Sequence, residues 1–200
     1  MKSVAGLILA AGKSERMGSP KSLLKIHGKT FLEQILQEAR HSQLSLTRIV
    51  LGHGANGILE TLPQFANQAI INPEYEQGQL SSLQCGLRNF REMPIEGVMV
   101  FLVDHPFVQR DLLDQLIAAF SEQRSAIVVP SFRNRRGHPM IFASSLFQEL
   151  LQAPWEEGAV SVVRRHQDQI LHLNVSDPGV LIDIDTPEAY NEFVVRAGKT

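Results

Sequence analysis

The chain is written as short apolar runs separated by longer amphipathic stretches. VAGLIL (4–9), TRIVL (47–51), QAII (68–71), GVMVFLV (97–103) and AIVVP (126–130) are dense in β-branched or apolar residues and have the length of buried strands. TFLEQILQEAR (30–40), LSSLQCGLRNF (80–90) and RDLLDQLIAAFSEQ (110–123) repeat apolar residues at three- and four-residue spacing, which predicts helices with one buried stripe. Thr30 with Glu33, and Asp111 with Asp114, place polar and acidic residues near two of the helix starts. Alternation of this kind predicts a doubly wound α/β domain, with helices covering both faces of a mostly parallel sheet.

The last third is less regular. PSFRNRRGHPMIFASSLFQELL predicts a strand, a basic turn, a returning strand and a short helix opened by Ser144 or Ser145. GAVSVVRRH (158–166) predicts a helix and QILHLNV (169–175) a strand. VLIDIDTPEAYNEFVVRA predicts a strand, a turn and a terminal helix, with Thr186 as N-cap and Pro187 at the first helical position. No repeat, low-complexity tract or linker interrupts the pattern, so residues 1–200 are expected to form one domain.

Composition narrows the function classes. Two hundred residues can bury a core without metal or disulfide staples, and the net charge of -2 lacks the basic surplus that a nucleic-acid backbone demands. The single cysteine, Cys85, lies among Leu80, Leu83 and Leu87 and is expected in the core. The N-terminal apolar run ends in a glycine loop rather than a cleavage site, and no run approaches the roughly 18 apolar residues of a membrane span. The expectation is a cytoplasmic protein with neither nucleic acid nor membrane as partner.

Two glycine loops follow strands, where open α/β sheets bind ligands. GHGANG (52–57) has the spacing of a dinucleotide fingerprint, but the next strand ends at Asn72 rather than at the acidic residue that would hold a ribose hydroxyl. It reads as a tight strand-to-helix turn. LAAGKSERMGSPK (9–21) carries more chemistry: Gly12 and Gly18 for turns, the Ser14 hydroxyl, and the cations Arg16 and Lys21. Such a set can offer amides and positive charge to a triphosphate, though its spacing is not that of a P-loop.

LAAGKSERMGSPKSLL resembles the L-A-[AG]-G-x(3)-R-[MF]-G-x(2)-K signature of nucleotidyltransferases that activate small phosphorylated acceptors. The resemblance continues in order through NPEYEQGQLSSLQCGL (72–87), LVDHPFV (102–108), RRGHPMIF (135–142) and IDIDTPEAY (182–190). Together the five motifs are similar to the molybdenum cofactor nucleotidyltransferase (MobA/MocA-like) family, and within it to the cytidylyltransferases. That resemblance implies a Rossmann-like three-layer nucleotidyltransferase domain with a mostly parallel mixed sheet.

It also implies roles. Leu9, Ala10, Ala11, Gly12, Ser14, Arg16 and Lys21 would hold the nucleotide, with Lys21 closest to the phosphates; Gly78 and Ser82 would lie near base and ribose. Asp104 and Asp185 would hold Mg2+, with Asp183 as the alternative to Asp185. The family usually has glutamine or methionine after the aspartate, where this chain has His105, whose role stays open. Lys21, Arg16 and Asp104 would carry catalysis, and Arg136 and His138 would face the acceptor, with Arg133 and Arg135 equally suited to a solvated hairpin tip. Trp155 is core or pocket wall. Alanine at position 11 goes mostly with pyrimidine nucleotides in the resembling families, so the implied reaction is CMP transfer from CTP to the phosphate of molybdopterin. The alternatives are a guanylyl- or cytidylyltransferase with another acceptor, such as a sugar or polyol phosphate, and a non-catalytic nucleotide- or cofactor-binding chaperone. Implied partners are CTP, the pterin acceptor and a molybdoenzyme or its chaperone.

Overall fold

The computed structural model of the chain describes residues 3–123 and 125–195. Its elements run β1 (Val4–Ala10), a small hairpin of β2 (Lys25–Ile26) and β3 (Lys29–Thr30), α1 (Phe31–His41), β4 (Thr47–Leu51), α2 (Ala55–Thr61), β5 (Ala69–Ile71), α3 (Gln79–Asn89), β6 (Gly97–Leu102) and α4 (Arg110–Glu122). There follow β7 (Ile127–Phe132), β8 (Arg135–Arg136), β9 (Met140–Ala143), α5 (Phe147–Gln152), α6 (Gly158–Arg165), β10 (Ile170–Asn174) and α7 (Pro187–Tyr190).

The main sheet has the order β10-β7-β9-β6-β1-β4-β5, with β8 paired to β7. All its neighbours are parallel except β9, which lies antiparallel between β6 and β7, and β8. The basic hairpin turn sends the chain back into the gap beside β6. The expected three-layer α/β domain with a mostly parallel mixed sheet is therefore the observed one.

Period-two alternation in β1 divides the interior. Val4, Ile8 and Ala10 join one apolar cluster with α1, α2 and α4, whereas Ala5, Leu7 and Leu9 join another with α3, α5 and α6. Burial on both faces explains why the strand is an unbroken apolar run. Helix α1 starts at a capping box in which the Thr30 hydroxyl accepts from Glu33 N at 3.1 Å and Glu33 Oε2 accepts from Thr30 N at 2.8 Å. Its buried stripe is Phe31, Leu32, Ile35, Leu36 and Ala39.

Three expectations are corrected. Neither Ser144 nor Ser145 caps α5: Ser144–Leu146 is a 3-10 turn, and Ser144 N donates to Glu96 O at 2.8 Å. Residues 180–185 do not form a strand. Pro178–Leu181 is a 3-10 turn closed by Asp177, whose Oδ1 accepts from Gly179 N at 2.7 Å, and Val180 and Ile184 are buried because this segment is pressed onto the core. Cys85 is only partly buried, with Sγ 3.8 Å from Ile71 O, since α3 turns that face toward the sheet edge. Thr186 does cap α7, accepting from Ala189 N at 3.3 Å. A π-helical turn, Asn191–Val195, continues it; the expected helix also covered Arg196 and Ala197, which lie outside the described residues.

Candidate active site

From β1 the chain proceeds through β4 to β5 on one side, then crosses back to lay β6 on the other side of β1. Ligands gather at such a switch point, beyond the carboxyl ends of the strands. A cleft of about 190 Å³ lies there, between the exit of β1 and the exit of β6. Leu9, Ala10, Ala11, Gly12, Ser14 and Lys21 wall it on one side, Gly78 and Ser82 on another, and Asp104 closes the end of β6. Ser22, Tyr75, Gln79, Leu102 and Val103 complete it.

The signature loop is shaped by its own polar groups. Ser14 adopts the left-handed conformation (φ 54°), and its Oγ accepts from Lys21 N at 3.1 Å, closing a ring over the 3-10 turn Glu15–Met17. The Lys21 side chain is thereby aimed inward. Its ammonium lies 2.9 Å from Asp104 Oδ2 and also contacts Asp185 Oδ1, with only 14% of the side chain exposed. Burial pulls the Lys21 pKa down, but the charges of Asp104 and Asp185 outweigh it and hold the group above its ordinary value. Burial likewise opposes ionisation of Asp185, yet its bond to Lys21 and the nearby Arg16 keep its pKa below the usual carboxylate range.

Asp185 arrives through backbone geometry: Ile184 N donates to Asp104 O at 2.7 Å, and buried Ile184 anchors the segment. The carboxylate meeting Lys21 is thus that of Asp185, while Asp183 is exposed. Arg16 Nη2 bonds Asp185 Oδ2 at 2.6 Å, although its side chain is 68% exposed. A second recess, lined by Lys13, Ser14, Glu15, Arg16, Lys21 and Asp185, opens from the cleft across Lys21.

Arg136 and His138 face a third, more apolar recess of about 270 Å³. It adjoins the first along Leu9, Gln79 and Leu102, with Leu80, Leu83, Val100, Met140 and Phe142 forming its body. Gly137 lets the RGHP segment lie against the 178–181 turn, where a Cβ would collide with Val180 O; His138 N donates to that oxygen at 2.9 Å. The His138 ring packs on His105, centroids 4.9 Å apart. Burial, followed by the neighbouring His105 charge, lowers the His138 pKa to about 4. Burial also lowers that of His105, against the pull of Asp104, Asp183 and Asp185.

The residues expected to hold nucleotide, metal and acceptor therefore line one groove of three connected recesses, apart from Asp183, the alternative to Asp185, which is exposed and lines none of them. Arg133 and Arg135 are exposed at the hairpin tip and line none of the three. The sequence reading missed Tyr75, Gln79 and Asn72. All three stand inside the motif NPEYEQGQLSSL, whose spacing alone gave no reason to choose among its polar side chains. It also missed the ion pair of Lys13 with Glu76 at 2.7 Å, which ties the signature loop to the Tyr75 turn. Trp155 is partly buried and donates to Gln84 Oε1 at 2.7 Å, away from the groove.

GHGANG is a turn. Gly52 packs beneath Tyr75, where a Cβ would lie 2.5 Å from Tyr75 Cβ and 2.9 Å from Ala11 O, and Gly54 has φ 65°. Among the described residues, no helix is long and apolar enough to cross a membrane.

A doubly wound sheet, a glycine-rich cationic loop after β1 and an aspartate at the end of β6 define a nucleotide-handling enzyme. The MobA-like NTP transferase domain family matches residues 6–170, and the chain belongs to that family of nucleotidyltransferases. It is 31% identical over 201 residues to the purine catabolism protein PucB of Bacillus subtilis (strain 168), covering 96% of each chain. It is 24% identical over 195 residues to the molybdenum cofactor cytidylyltransferase of Escherichia coli (strain K12), covering 95% of each. The crystal structure of Rv0371c from Mycobacterium tuberculosis H37Rv superposes with a TM-score of 0.86 at 26% identity, covering 97% of this chain and 98% of that one. Rv0371c has also been solved in complex with manganese, so a divalent cation is bound within this structural group.

Proposed function

We propose that residues 1–200 act as one domain that transfers CMP from CTP to the phosphate of molybdopterin, releasing pyrophosphate. The observation that carries this reading is the Lys21 ammonium, held between Asp104 and Asp185 where the cleft of the signature loop meets the neighbouring recess. Support for the pyrimidine comes from Ala11 and the cytidylyltransferase relative; support for the acceptor comes from that relative and from the apolar recess beside Arg136 and His138.

The donor set fits a hard divalent cation. Asp104 Oδ1 is buried and lacks a hydrogen-bond partner among the described residues, and Asp185 converges on the same point. Two carboxylates leave the remaining coordination positions to phosphate oxygens and water, which suits Mg2+. When bound by Asp104 and Asp185, Mg2+ supplies charge neutralisation at the phosphates.

The remaining work belongs to the chain. Backbone amides of Ala11 and Gly12, beyond the end of β1, and the Ser14 hydroxyl position the triphosphate, and Lys21 and Arg16 exchange their carboxylate partners for phosphate oxygens. The acceptor phosphate, largely dianionic at neutral pH, attacks the α-phosphorus in line without a general base. A new P–O bond forms as the bond to the pyrophosphate oxygen breaks, and the cations stabilise the charge on the leaving group. Arg136 holds the acceptor at the open edge of its recess, and neutral His138 offers it a polar wall.

Incubation with each of the four NTPs, molybdopterin and Mg2+ tests the reading. Pyrophosphate release is expected with CTP and to vanish on chelation of the metal or in Asp104→Ala, whose melting temperature should stay close to that of the parent. Equal turnover with a sugar or polyol phosphate would move the acceptor, and preference for GTP would reject the base.

A further inference from the structure

Strand β5 ends at Ile71, and the residue after it, Asn72, is only 3% exposed. Its backbone N–H donates to Leu51 O at 2.8 Å, so the main chain is still held by β4. A buried primary amide brings two donors and an acceptor that must all be placed. Oδ1 accepts from Glu74 N at 3.0 Å; Nδ2 donates to Ser81 Oγ at 3.0 Å and to Ser82 Oγ at 3.1 Å. Because Glu74 N can only donate, the atom facing it must be the oxygen. The amide cannot be turned over.

The two serines, adjacent on the first turn of α3, are 3% and 4% exposed and receive the same kind of bond. They differ in where the hydroxyl proton goes. Ser81 sends its proton back to the main chain, toward Glu74 O and Gly78 O, each at 2.8 Å. Ser82 lines the cleft, and none of the hydrogen bonds among the described residues takes its proton. With one lone pair already occupied by Asn72, its O–H is left to point into the cleft. A buried donor without a partner costs free energy until something accepts from it.

Resting on the nucleotide reading of this cleft, we infer that Asn72 is a specificity-determining positioning residue: by donating to Ser82 it fixes that hydroxyl as a donor, selecting a base with an acceptor edge. Cytosine presents adjacent acceptors, the 2-carbonyl and the unprotonated ring N3. Uracil carries N–H at the second of these; to accept it on its remaining lone pair, the Ser82 hydroxyl would have to turn its own proton away from the base and leave it buried without a partner. Asn72 reaches no ligand itself. The device works at a distance of one hydrogen bond, from a side chain behind the wall of the site.

Asn72→Asp keeps an acceptor for Glu74 N and replaces the donor by a second acceptor, so the Ser82 proton is drawn back from the cleft. Its KM for CTP is expected to rise by about tenfold to hundredfold, with kcat changed less than about threefold and the CTP-over-UTP preference in kcat/KM narrowed by at least about tenfold. Ser82→Ala should narrow the preference equally, and the double variant no further. With 3-deaza-CTP, which lacks the N3 acceptor, parent and Ser82→Ala should perform alike. A folded Asn72→Asp protein with parental KM and preference, or one that loses only kcat, overturns the inference. Should that variant fail to fold, Ser82→Ala decides, and an unchanged CTP-over-UTP preference rejects it. If the parent enzyme turns over CTP while these variants do not alter base choice, this inference alone fails; if the parent shows neither CTP turnover nor a CTP-dependent melting shift, the nucleotide reading fails with it.

Discussion

The ammonium of Lys21 lies 2.9 Å from Oδ2 of Asp104, a residue 83 positions further along the chain. Together with Asp185 it forms a cluster in which one largely buried cation is shared by two carboxylates from separate segments. Removing only the charge leaves Asp104 without its cation and Asp185 with Arg16 alone, and on the proposed reading takes a protein cation from the phosphates. Lys21→Met preserves most of the stem and should lower pyrophosphate release by about 100- to 1,000-fold, the range seen when one preorganised electrostatic donor is lost. Activity within threefold of the parent would remove Lys21 from the mechanism.

Asp185 and Asp183 give a matched pair of tests, since the sequence left both open and the geometry separates them. Asp185 contacts Lys21 and Arg16, whereas Asp183 is exposed. Asp185→Asn should raise the Mg2+ concentration needed for half-maximal activity and reduce the maximal rate at least about tenfold. Asp183→Asn should leave both within about twofold. A titration of rate against Mg2+ reads the difference, and equal effects in the two variants would mean that both carboxylates face the metal.

The strand-helix alternation and the signature loop were legible because each is local. A strand buried on both faces must be apolar, as Val4–Ala10 is, and a loop that concentrates glycine and cations shows itself within one short stretch, as residues 12–21 do. What could not be read were pairings across the chain. The basic turn announced a strand returning antiparallel to β7, but nothing in MIFA says that β9 inserts between β7 and β6, because a strand buried on both faces does not name its second neighbour. VLIDID alternates like a strand, yet its apolar residues are buried by pressing a loop onto the core, and Ile184 gains a single backbone bond to Asp104. Asn72 was invisible for a similar reason: an asparagine before a proline is an ordinary turn residue until the fold sets two serines against its amide.

The two outer glycines of GHGANG answer to different constraints. A methyl at Gly52 would lie 2.5 Å from Tyr75 Cβ and 2.9 Å from the main-chain oxygen of Ala11, and the latter cannot swing aside. Gly52→Ala should therefore cost about 1–3 kcal/mol in urea unfolding, and should weaken CTP binding because Tyr75 lines the cleft. Gly57 sits inside α2 with open space where its Cβ would go. Gly57→Ala should stabilise the protein by about 0.5–1 kcal/mol and leave turnover unchanged. Loss of function in the second variant would mean that the loop approaches a ligand after all.

His138 sets a pH dependence whose sign can be worked out. Its folded pKa, lowered by burial and by His105 to about 4, lies below the ordinary histidine value of 6.5. Above pH 6.5 both folded and unfolded chains carry it neutral, and the group contributes no slope. Between 6.5 and about 4 the unfolded chain takes up a proton that the folded chain refuses, so stability falls as the pH is lowered, by at most about 3 kcal/mol. Below that window both states are protonated and the loss stops growing. His138→Asn removes the titration, so the variant's stability relative to the parent should improve by at least about 1 kcal/mol between about pH 7 and about pH 4.5. Urea unfolding of both proteins at the two pH values measures this. A parent-variant difference that does not move with pH would mean that the imidazole takes its proton in the folded state, through rearrangement of the His105 contact.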